Sequence, residues 1–93
     1  MFKRIKLYKF IQGEKNRNRA ALRCLSLIGF SLPAVRDMLF KGNKIKLNAL
    51  AEDHGIVSST LYNTIKGIRH SSNAQQISAG ALGLDVKELY PEQ

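Results

Sequence analysis

Leu47-Asn48-Ala49-Leu50-Ala51-Glu52-Asp53-His54-Gly55-Ile56-Val57-Ser58-Ser59-Thr60-Leu61-Tyr62-Asn63-Thr64-Ile65-Lys66-Gly67 is the stretch on which the fold turns. Leu47, Leu50 and Ala51 recur at i, i+3 and i+4, the signature of one helix face running to about His54. Gly55 suits the left-handed conformation that closes such a helix. Ser58 then caps a second helix reaching Ile65, with Leu61, Thr64 and Ile65 turned inward and Gly67 as its stop. Ala51 is small where the two helices must approach closest, and Ile56 fills the corner between them.

Two short helices meeting at a glycine turn are the sequence form of a helix-turn-helix, which lays its second helix in the DNA major groove. The outward residues of that second helix fit base recognition. Ser58, Ser59, Thr60, Tyr62 and Asn63 are the expected base-contacting set. Asn pairs bidentately with adenine, Ser and Thr bond to several edges, and a Thr methyl meets the thymine methyl. Ser58 serves equally well as an ordinary N-cap, and the rest as a solvated face. Lys44, Lys46, Lys66, Arg69, His70 and Asn73 are the expected DNA backbone-contacting set. Lys44 and Lys46 precede the first helix of the motif; Lys66, Arg69 and His70 lead into another helix N-terminus at Asn73, a ready anion site. Such contacts supply affinity and salt dependence more than sequence choice.

Working outward, Ser31 with Pro33 opens a helix carrying Val35, Met38 and Leu39, which Lys41-Gly42-Asn43 ends. Asn73 and Gln76 form a capping-box pattern for a helix with Ile77, Ala81 and Leu82 inward, stopped by Gly83. Asp85 and Glu88 repeat the box before a last turn, Val86 to Tyr90, halted by Pro91. Ala20 to Ile28 reads as a further helix with Leu22, Leu25 and Ile28 on one face. The expected fold is all-α, a compact bundle of four to five short helices. Charge divides it into a basic N-terminal extension, 1–30, and a helix-turn-helix DNA-binding domain, 31–93.

The 93 residues carry a net charge of +8 and are 44% hydrophobic. Residues 1–31 hold eight Lys and Arg against Glu14 alone, whereas residues 71–93 hold Lys87 against Asp85, Glu88 and Glu92. One basic face meeting a polyanion accounts for that asymmetry. Cys24 is the only cysteine, so no intrachain disulfide or zinc framework is available, and a reducing, cytoplasmic and nucleoid-associated setting is expected. The longest apolar stretch, Ala20 to Ala34, is broken by Arg23, Ser26 and Ser31. It is too short to span a membrane and makes no convincing secretory signal.

The sequence has no phosphate-binding glycine loop, nucleophile elbow, metal-spaced His pair or carboxylate dyad, so neither an enzyme nor a cofactor is expected. Asp53, His54 and Ser58 lie near one another along the chain, but all belong to a turn that the fold itself requires. Gly80-Ala81-Leu82-Gly83 imitates an RNA-binding GXXG loop yet has neither basic residues nor flanking strands. The rival reading is a non-enzymatic module whose Tyr62 face docks a protein or binds nucleic acid nonspecifically. Met1 to Ile11, where apolar residues alternate with lysines, also has the pattern of a membrane-surface segment.

From about Leu32 to Pro91 the chain resembles the Ner-like DNA-binding proteins of Mu-type phages and their bacterial relatives. The resemblance rests on Leu47-Asn48-Ala49-Leu50-Ala51, His54-Gly55, Ser59-Thr60-Leu61-Tyr62-Asn63, Ile77, Ala81-Leu82-Gly83 and the ending Glu88-Leu89-Tyr90-Pro91. It implies a lambda-repressor-like helical fold and transcriptional regulation, usually repression of early phage promoters. It also implies that Ser59, Thr60, Tyr62 and Asn63 lie on the recognition helix. Two departures stand out: Tyr90 occupies a place where that family usually has Trp, and the basic extension has no clear counterpart. The expected partner is double-stranded DNA, bound by a homodimer or by a cooperative pair assembled on the duplex.

Overall fold

The computed structural model describes residues 16–92, which form six helices and no strand. They are α1 Arg17–Leu27, α2 Leu32–Gly42, α3 Leu47–Asp53, α4 Ser58–Ile65, α5 Ser72–Leu82 and α6 Val86–Leu89. The fold class is therefore all-α. The membrane-surface pattern in Met1–Ile11, and half of the basic extension, lie outside the described residues. No helix among the described residues is long and apolar enough to cross a membrane.

Local chemistry sets the helix ends. The Asn16 side chain caps α1 by accepting from the Asn18 and Arg19 amides at 2.8 and 3.2 Å. Ser31 caps α2 through the Ala34 amide, with Pro33 in the first turn, where its missing N–H is harmless. The capping box expected at Asn73 and Gln76 does not form. Ser71 takes the cap position instead, its hydroxyl accepting from the Ala74 amide, so α5 starts two residues earlier. Ser58 likewise does not cap α4: it is already helical, and Val57 occupies the cap position without a side-chain bond. At α6 the Glu88 carboxylate accepts the Asp85 amide at 3.3 Å, as the box pattern predicts.

α4 lies at the centre, packed against α2, α3 and α5. Its Leu61, Thr64 and Ile65 are buried against Val35, Leu39, Leu47 and Ala51, the inward set expected from periodicity. The α5 face is rotated from its expected position. Ala74, Ser78, Ala79 and Leu82 face the core, Ile77 is half-buried and Ala81 is exposed. On α1, Ala20 and Leu22 are buried and Leu25 is half-buried, while Ile28 points to solvent.

α1, within the stretch 1–30, packs against α2 and buries Ala20 and Leu22. Asn16 and Asn18 donate to Gly83 O and Leu82 O at 2.6 and 2.9 Å, joining the start of α1 to the end of α5. Glycine suits position 83: its φ is +70°, and an added carbon would stand 2.9 Å from Asn16 Nδ2 and displace that side chain. Arg19 forks onto Glu88, tying α1 to α6. That guanidinium holds the Glu88 carboxyl below its ordinary range.

Candidate nucleic-acid interface

The segment between α3 and α4 makes a tight corner. The His54 and Ile56 amides donate to Leu50 O and Ala51 O at 3.3 and 3.0 Å, closing α3 through Gly55 at φ +67°. Ile56 is half-buried against the core, so it fills the corner. The His54 ring stands 3.0 Å from Leu50 O, which requires its Nδ1 to carry the proton. His54 therefore finishes α3.

Burial of Leu61, Thr64 and Ile65 fixes which side of α4 faces away. Ser59, Tyr62 and Lys66 are exposed; Ser58, Thr60 and Asn63 are half-buried. Tyr62 has 39% of its surface exposed, and Val57 and Ile68 add exposed apolar surface at the two ends of the helix. No side chain caps the amides at the start of α4, which form the positive end of the helix dipole. The expected cap at Ser58 masked this feature. Its only signal in the sequence was the apolar Val57 before the helix.

Some of the sequence-derived residues come together and others stand apart. Ser58, Ser59, Thr60, Tyr62 and Asn63 share α4. Lys66, Arg69 and His70 occupy the loop that follows, all exposed. Asn63 O accepts the Ile68 and Arg69 amides at 2.9 and 3.2 Å, folding that loop back onto the helix. Arg69 Nη1 then donates to Thr60 Oγ1 at 3.3 Å. Asn73 is exposed in the first turn of α5. Lys44 and Lys46 are exposed on the α2–α3 loop, away from α4 in sequence. Lys44 has φ +56°, the one non-glycine residue with positive φ among the described residues.

The residue that sequence reasoning missed is Arg36, which is fully buried. Its Nε donates to Ile65 O at 2.7 Å, at the C-terminal end of α4. Its Nη1 donates to Leu89 O at 2.9 Å and to the Glu92 carboxylate at 3.0 Å. The guanidinium also lies over the Tyr90 ring, 4.5 Å from its centroid. Ser78 Oγ donates to Ala74 O at 2.8 Å, so the Tyr90 hydroxyl, 2.6 Å from Ser78 Oγ, is the donor of that bond. Burial pushes the Tyr90 phenol above its ordinary range. A signal was present, since Arg36 sits at i−3 and i−4 from Leu39 and Phe40 and so at the edge of the apolar face.

Among the described residues no cluster of His, Cys, Asp and Glu has the makings of a metal site. Chemically, the outward side of α4 offers hydroxyls, an amide, a phenol and cations, all suited to hydrogen bonding with a polar, anionic partner. Compared with models of known families, with curated proteins and with solved structures, the chain finds no match.

Proposed function

We propose that this chain is a sequence-specific double-stranded DNA-binding regulator of transcription. In this reading α3 and α4 form a lambda-repressor-like helix-turn-helix, and α4 enters the major groove. The observation that carries it is the division of α4. Leu61, Thr64 and Ile65 anchor one side in the core, and the opposite side presents Ser59, Tyr62, Asn63 and Lys66. A polar, cation-rimmed helix face on a chain of charge +8 suits a polyanion with readable edges. The resemblance to Ner-like proteins supports the same reading and makes repression of phage or prophage promoters the expected outcome. The protein would then work in the cytoplasm at the nucleoid, as a homodimer or a cooperative pair on DNA.

Selection from random duplexes at low and near-physiological salt, followed by sequencing, tests this directly. An enriched motif that survives the higher salt supports the reading. Asn63→Ala should then weaken binding to the selected site by about 1–3 kcal/mol while leaving random duplex almost unaffected. Equal losses on both duplexes would remove Asn63 from base reading.

A protein-docking role has one observation in its favour: Leu27, Ile28 and Phe30 stand exposed where α1 turns into α2. Apolar docking keeps its affinity as salt rises, whereas phosphate-driven binding falls steeply.

A further inference from the structure

Arg69 is held from both ends. Its backbone amide donates to Asn63 O at 3.2 Å, and its Nη1 reaches Thr60 Oγ1 at 3.3 Å. Asn63 and Thr60 are i, i+3 neighbours, so the side chain runs along one flank of α4 and does not reach outward from the loop. A phosphate contact needs only a point charge at the helix edge. A planar fork laid beside the outward residues of a helix matches a different target. Guanidinium carries five N–H donors. The Thr60 bond uses one, on Nη1, and leaves Nε and Nη2 for a paired acceptor. The acceptor pair that such a fork fits in the major groove is O6 and N7 of guanine.

We propose that Arg69 reads a guanine next to the base addressed by Asn63, with Thr60 as its positioning residue. This rests on the DNA-binding reading and changes two roles expected from sequence. Arg69 moves from the phosphate backbone to a base, and Thr60 moves from a base to the side chain of Arg69. The bond itself agrees with that move, since a Thr60 hydroxyl engaged by Arg69 Nη1 is less free to meet a base.

The test compares motifs selected from random duplexes by the wild-type protein, Arg69→Lys, Arg69→Ala, Thr60→Val and Thr60→Ser. Arg69→Lys keeps the charge and loses the fork. It should lose about tenfold or more in preference for guanine at one motif position and leave the other positions intact. Arg69→Ala should lose the same preference. Thr60→Val should blur that one position by a few-fold, and Thr60→Ser, which restores the hydroxyl, should recover it. An Arg69→Lys motif identical to wild type would overturn the proposal and return Arg69 to the phosphates, even with a motif present. A wild-type protein that selects no motif would overturn the DNA-reading function itself, a separate failure.

Discussion

Two arginines hold α4, one from inside the molecule and one from outside. Arg36 is buried beneath the end of the helix and spends its donors on Ile65 O, Leu89 O and Glu92. Arg69 is exposed beside the start of the helix and makes a single side-chain bond, to Thr60. The same guanidinium is a structural pin in the first place and a surface group with donors to spare in the second. Burial decides between them. A buried guanidinium must find its partners within the fold, whereas an exposed one keeps donors for a ligand. Even Arg36 falls short, because its Nη2 has no hydrogen-bond partner among the described residues and packs beneath the Gly67 turn.

The largest expected effect breaks the inner pin. Arg36→Met keeps much of the volume and leaves Ile65 O and Leu89 O without donors. Exchanging a whole buried ion pair for apolar groups is often neutral, but removing one partner is not. Glu92 keeps 35% of its side-chain surface and can rehydrate, so the two carbonyls dominate the loss. At about 1–3 kcal/mol for each unsatisfied group, urea unfolding should show a loss of about 2–5 kcal/mol. Arg69→Met should change stability by less than about 0.5 kcal/mol. Equal stability changes for the two variants would erase the distinction.

The next effect concerns how α3 presents α4. Ala51 is fully buried where the two helices cross. Ala51→Leu should overpack that crossing and destabilise the fold by about 1–3 kcal/mol, read as a lowered midpoint in thermal or urea unfolding. An unaltered midpoint would mean that the two helices are free to move apart, and the rigid presentation of α4 would be lost as an explanation.

Periodicity made the inner sides of α3 and α4 legible. Leu47, Ala51, Leu61, Thr64 and Ile65 are buried as their spacing requires. It missed Arg36, Gln75 and Ser78, polar side chains in core positions. Arg36 and Ser78 have partners far along the chain, Leu89 O and Glu92 for the first and the Tyr90 hydroxyl for the second. The same blindness rotated the α5 face, since Ser78 reads as polar until Tyr90 is seen to reach it. The cap of α5 was misplaced by two residues because several small polar residues, Ser71, Ser72 and Asn73, compete for one position. The outward residues of α4 were legible as a set. Their mutual contacts were not, because the Arg69–Thr60 bond depends on the loop folding back through Asn63 O.

The smallest expected effect extends the comparison to a third cation, where stability and binding should move in opposite directions. The Asn43, Lys44 and Ile45 amides close α2 by donating to Leu39 O, Lys41 O and Phe40 O, and Lys44 adopts φ +56° to do so. Left-handed backbone costs a side-chain-bearing residue about 1–2 kcal/mol, whereas glycine adopts it freely. Glycine returns about 0.4–1 kcal/mol of this by loosening the unfolded chain. Lys44→Gly should therefore stabilise the fold by up to about 1 kcal/mol in urea unfolding. If Lys44 is held there for its charge, the same variant should bind every duplex more weakly. The slope of log affinity against log salt should also flatten by about one unit. A more stable variant with unchanged salt slope would confine Lys44 to the turn and leave the phosphate contacts to the loop that follows α4.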